Sequence, residues 1–171
     1  MKEGAGMDVE NARSGSPAAQ GAALPPGTDA LGYGGLLPFA LLTAALWMLD
    51  PGQRLHGLAL TGLLAYGAVI LSFLGAVHWG FVLSRPTARA PMLLALGVVP
   101  ALVGAVTLAM RPETALVTQM IAFGAVWLYE HRVVGVEVLG KPYLDLRRTL
   151  TIGVLGIQLL ALLGPVARSG G

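Results

Sequence analysis

The chain has 171 residues, 55% hydrophobic and 12% charged, with a formal net charge of +2, 24 glycines and no cysteine. Ordinary soluble domains carry about a quarter charged residues, so the composition excludes a water-soluble enzyme domain, a disulfide scaffold and a thiolate metal site. It also excludes a nucleic-acid binder of the usual basic kind. Five stretches lack Asp, Glu, Lys and Arg altogether: residues 31–49, 57–83, 91–110, 114–129 and 149–167. All 20 charges therefore fall in the other 70 residues.

In chain order, residues 1–30 are rich in Gly, Ala, Ser and Pro and predict a disordered tail. Lys2, Glu3, Asp8 and Glu10 interrupt any apolar h-region, so no secretory signal is expected. A helix needs roughly 20 apolar residues to cross about 30 Å of hydrocarbon. Four of the stretches meet that length directly. The fourth in order, 16 residues long, reaches 21 if Pro112 and Glu113 form its first turn and it runs to Arg132. The expected fold is an all-α multi-pass transmembrane bundle of five helices, at about 31–49, 57–83, 91–110, 112–132 and 149–167. The second is long enough to tilt or project, unless it breaks at Gly67 or Gly75. Pro38 and Pro100 fall inside their helices, where each frees a carbonyl and permits a kink. Asp50-Pro51-Gly52, Arg85-Pro86, Ala90-Pro91 and Arg111-Pro112 punctuate short connections. Glu130 to Arg148 reads as one long connection at the membrane interface.

Charge sets the orientation. With five spans, one side carries Lys2, Arg13, Arg85, Arg89, Arg132, Lys141, Arg147 and Arg148; the other carries Arg54, Arg111 and Arg168. Cytoplasmic loops carry the excess of Lys and Arg, which predicts N-in, C-out in the bacterial inner (plasma) membrane. Lipid gives apolar helices no drive to associate, so small residues that let backbones approach matter. Ala68, Ser72, Ala76 and Gly80 recur every fourth residue on the second helix, and Gly97, Ala101, Ala105 and Ala109 on the third. Both series are expected to be helix contact faces, and Ala76→Leu is expected to destabilise the bundle.

Polar groups inside spans are functional candidates by default. His78, beside Trp79, falls near the cytoplasmic end of the second helix, and Glu130 ends the fourth at similar depth. A cluster of His78, Glu130 and Arg147 would handle a proton or an anionic group. The plainer alternative has His78 bonded to a neighbouring helix and Glu130, His131 and Arg132 capping the fourth at the headgroups. Ser72, Thr43, Thr61, Thr107, Thr118, Gln119 and Gln158 are the other polar groups, scattered along the spans. No nucleophile with a base, phosphate loop or zinc motif occurs, so no enzyme activity, cofactor or metal is expected.

Three segments carry a family likeness: Gly35-Leu36-Leu37-Pro38-Phe39; Tyr66 to Gly80, with its Ser72-Phe73-Leu74-Gly75 core and Trp79-Gly80; and Pro142-Tyr143-Leu144-Asp145-Leu146-Arg147-Arg148-Thr149-Leu150-Thr151. Over about Leu31 to Ala167 the chain resembles the family called domain of unknown function 3429, which includes the mitochondrial transmembrane protein 69 group. The resemblance implies a helical membrane protein without established activity, and supplies no catalytic residues. Tyr143, from the third segment, joins His78, Trp79, Glu130 and Arg147 as the candidate cluster. The expected role is a structural or assembly component acting through helix contacts and a basic cytoplasmic face, with lipid, other membrane proteins or a second copy as partners and no nucleic acid. The alternative is a small transporter or permeation module with a His78/Glu130 proton or anion site.

Overall fold

The computed structural model describes residues 24–84, 90–135 and 140–166. They are all helical apart from turns, in five rods. The first is broken into α1 (Thr28–Gly34) and α2 (Leu37–Met48); α3 (Arg54–Ser84), α4 (Ala90–Thr107) and α5 (Pro112–Tyr129) follow. A π turn at Glu130–Val134 extends α5, and α6 (Lys141–Ala161) ends in a second π turn, Leu162–Val166. Four of the five rods, Thr28–Met48, Arg54–Ser84, Ala90–Thr107 and Lys141–Val166, are long and apolar enough to cross a membrane. The rod of α5 is not among them, because Glu113 and Gln119 lower its apolarity over 18 residues.

The first helix begins at Thr28, inside the stretch expected to be a tail; residues 1–23 lie outside the described residues. Its break follows from Pro38, which has no N–H and sits in the first turn of α2, where that loss is harmless. The break leaves the Gly35 carbonyl free, and the Tyr66 hydroxyl on α3 donates to it at 3.0 Å. Phe39, fully buried below the break, meets the rings of Tyr66 and Phe123 edge-on at 4.9 and 6.2 Å.

Helix α3 runs unbroken through Gly67 and Gly75, and at 31 residues it spans about 46 Å, more than the hydrocarbon layer requires. Both glycines answer a close approach instead. A Cβ on Gly67 would overlap the Gln119 side chain, and one on Gly75 would overlap the Gly97 backbone. Helix α4 ends at Thr107, three residues short of the expected end, and tightens into i→i+3 bonds over Leu108, Ala109 and Met110. Arg111 is extended, as the residue before a proline prefers.

The largest correction concerns the expected long connection from Glu130 to Arg148. Its first part continues α5 as the π turn, and its last part is the start of α6, eight residues earlier than expected. Gly135 and Gly140, at φ 73° and 76°, bound the four intervening residues, and Pro142 fits the first turn of α6. The charges in this stretch suggested a loop, yet they alternate with a buried stripe. Leu144, Arg147, Thr151, Val154, Gln158 and Ala161 repeat at intervals of three and four along the one face of α6 that is buried.

Helix α3 packs against α2, α4 and α5, and α6 packs against α1, α2 and α5. The core lies where these meet, around Phe39, Leu46, Leu63, Leu71, Leu116 and Val154.

Candidate functional site: two polar rungs between α5 and α6

Two buried polar links join α5 to α6. At one, the Arg147 Nε–H donates to Glu130 Oε2 at 3.0 Å, with the Glu130 and Arg147 side chains only 1% and 9% exposed. Glu130 reaches the interior because it lies seven residues after Phe123 and fourteen after Leu116, on the same helix face. The Tyr143 hydroxyl, one turn before Arg147, feels both charges. One carboxylate oxygen, Glu130 Oε1, and one guanidinium nitrogen, Arg147 Nη2, are buried without a partner.

At the other link, Gln119 sits at zero exposure and uses every hydrogen-bonding atom of its amide. Its Nε2 donates to the Leu64 carbonyl of α3 and to Thr107 Oγ1 of α4, both at 2.9 Å. Its Oε1 accepts from Gln158 Nε2 of α6 at 3.0 Å. Thr107 passes its own proton to the Gly104 carbonyl at 2.6 Å. One amide thereby ties four rods together. The polar residues Thr107, Gln119 and Gln158, which the sequence presents as scattered, form a single knot.

The rungs share a register. Gln119 and Glu130 are eleven residues apart on the α5 rod, and so are Arg147 and Gln158 on α6. Eleven residues make about three turns, or roughly 16 Å, so both pairs fall on facing sides of two antiparallel helices.

His78 does not meet Glu130. It is buried, its Nδ1 lies 3.3 Å from the Leu74 carbonyl of its own helix, and its ring faces Tyr129 at 5.9 Å. His131 stacks on Trp127 at 5.5 Å, and Arg132 is exposed. Trp79 is partly exposed and donates from Nε1 to the Leu94 carbonyl at 3.1 Å, bridging α3 and α4. Glu130, Arg147 and Tyr143 thus come together, while His78 and Trp79 occupy separate contacts. Among the described residues no group of three or more His, Cys, Asp or Glu is placed to hold a metal ion.

The α3–α4 contact uses some of the small residues and bypasses others. Ala68 meets Gly104, and Gly75 meets Gly97. Ser72 and Ala101 are half-buried, whereas Ala76, Gly80 and Ala105 face outward. The buried stripe of α4 is Gly97, Pro100, Gly104 and Thr107, which follows helical three-and-four spacing where a strict interval of four drifts off the face.

A chain whose described residues are helical apart from turns, with four rods of membrane-crossing length and with Gln119 and Glu130 joined across its interior to α6, has the build of a multi-pass membrane protein. The family model of DUF3429, proteins of unknown function, matches residues 24–163, and the chain belongs to that family. No curated protein and no solved structure matches it.

Proposed function

We propose that this protein crosses the bacterial inner membrane five times, N-in and C-out, and serves as a structural or assembly component rather than a conduit. The observation that carries this reading is the Gln119 knot. Its polar groups are fully enclosed and joined across four rods, which fills the interior with fixed hydrogen bonds where a permeation path would need water or mobile charge. The outer faces are left apolar by Leu41, Phe73, Leu102, Ile121 and Leu160, all exposed and available to lipid, another membrane protein or a second copy. Of the basic cytoplasmic face, Arg147 is withdrawn into its ion pair, while Arg132, Lys141 and Arg148 stay exposed. Arg85 and Arg89 lie outside the described residues.

The transport alternative has less support, because Glu130 is paired with Arg147 and the buried His78 lies beside the Leu74 carbonyl of its own helix instead of joining them. In vivo crosslinking from exposed positions such as Phe73, with metabolite profiling of a deletion strain, tests the choice. A stable crosslinked partner and unchanged solute pools are expected. A specific accumulated solute, relieved by the wild-type gene and not by His78→Gln, would favour transport. An alkaline phosphatase fusion at Gly171 is expected to be active; an inactive one beside a fluorescent GFP fusion at that position would refute the topology.

A further inference from the structure

Between α1, α2, α3, α5 and α6 lies a cavity of about 260 Å³. Leu36, Phe39, Ile70, Leu74 and Phe123 make most of its wall. Only two of its lining side chains are polar, Arg147 and Thr151, one turn apart on α6. Both residues are more than nine-tenths buried, and each keeps an atom without a partner, Arg147 Nη2 and Thr151 Oγ1. Leaving such groups unpaired in an apolar interior is costly, and a pocket of mostly apolar wall with a few convergent polar groups is the usual form of a small-molecule site. The volume sits just below the ordinary range for ligand pockets, about 300 to 1,000 Å³. It holds a head group and a few carbons. The remainder of a ligand would pass Leu31 and Phe73, lining residues that are 82% and 65% exposed.

The geometry points to a binding site for a membrane-soluble molecule with an apolar tail and an uncharged carbonyl head. The charge balance selects the head. Arg147 is already neutralised by Glu130, whose Oε1 is itself buried and unpartnered, so an incoming carboxylate would bring a second anion against it. A neutral carbonyl oxygen instead accepts from Arg147 Nη2 and from the Thr151 hydroxyl without adding charge. Two sources share this chemistry, a prenylated quinone and a neutral acyl ester of glycerol. The site does not depend on the assembly role, since its head group is held at Arg147 and Thr151 inside the cavity and, of the outer-face residues named above, Phe73 alone lines it.

The test uses the full chain in nanodiscs of neutral phospholipid, with unfolding temperature followed against decyl-ubiquinone, dioctanoylglycerol and decanoate. Saturable stabilisation by one of the two neutral probes is expected, and which one acts identifies the source. Thr151→Val removes only an unpartnered hydroxyl, so it is expected to fold as the wild type does and to weaken that binding roughly three- to tenfold, the worth of one hydrogen bond. Val154→Phe fills the cavity and is expected to abolish binding. The proposal is overturned if neither neutral probe stabilises saturably, if Thr151→Val binds as tightly as wild type, or if decanoate binds best.

Discussion

Arg147 sits among charged neighbours in sequence yet is buried in the fold. Its position among Lys141, Arg148 and Asp145 marks it as a headgroup-facing base. Three-and-four spacing with Leu144 and Thr151 instead turns it inward, where it meets Glu130. In the sequence, depth alone joins His78 to Glu130, with Arg147 as the third member of the cluster, and depth says nothing about which way a ring points around its helix. The burial of the pair decides its energetics. Removing one partner of a buried ion pair costs about 3–5 kcal/mol by leaving the other charge unpaired, whereas replacing both with apolar groups is often neutral or stabilising. Arg147→Met alone is therefore expected to destabilise by about that amount, and Glu130→Leu with Arg147→Met to recover most of it. Chemical unfolding in mixed micelles checks this; equal losses from the single and the double variant would mean that the pair does not govern stability.

Helix–helix contact separates what a pattern of small residues can indicate from what it cannot. Glycine and alanine at intervals of four suggest contact faces on α3 and α4, and these two helices pack on each other. The true contact follows the alternation of three and four, so it passes through Ala68 and Gly75 on α3 and leaves Ala76 and Gly80 outside. A run of small residues cannot reveal this, because Gly75 and Ala76 are neighbours and only the partner's position decides between them. The consequence is a reassigned mutation. Ala76→Leu points outward and is expected to change stability by less than about 0.5 kcal/mol, as surface substitutions usually do. Gly75→Ala places a methyl against the Gly97 backbone, which no side-chain rotation can relieve, and is expected to cost roughly 1–3 kcal/mol as overpacking does. Unfolding curves of the two variants measured side by side decide it; a larger loss from Ala76→Leu would place the contact on the other face.

At the scale of the whole molecule, the two rungs make the packing of α5 on α6 a matter of register. Sliding one helix past the other by a turn would break the Glu130–Arg147 pair and the Gln119–Gln158 bond together, because both have the same eleven-residue spacing on both helices. Single interhelical hydrogen bonds in membranes average only about 0.6 kcal/mol, so the knot contributes less through its strength than through what a slip would strand in an apolar interior. The same antiparallel register sets Leu116 opposite Ala161 and Phe123 opposite Val154, all of them buried. It also supports the fifth crossing proposed for α5 despite its lower apolarity: a rod held along α6 over three turns would share the depth of α6, and its Gln119 is enclosed by protein. The absence of cysteine makes the register directly measurable. Leu116→Cys combined with Ala161→Cys is expected to crosslink efficiently on mild oxidation in native membranes, since a disulfide requires Cα atoms within about 7 Å. Leu116→Cys with Val154→Cys, two turns or about 10 Å out of step, is expected to remain reduced. Equal crosslinking of the two pairs would mean that α5 slides on α6, and the rungs would then lose their claim to fix the fold.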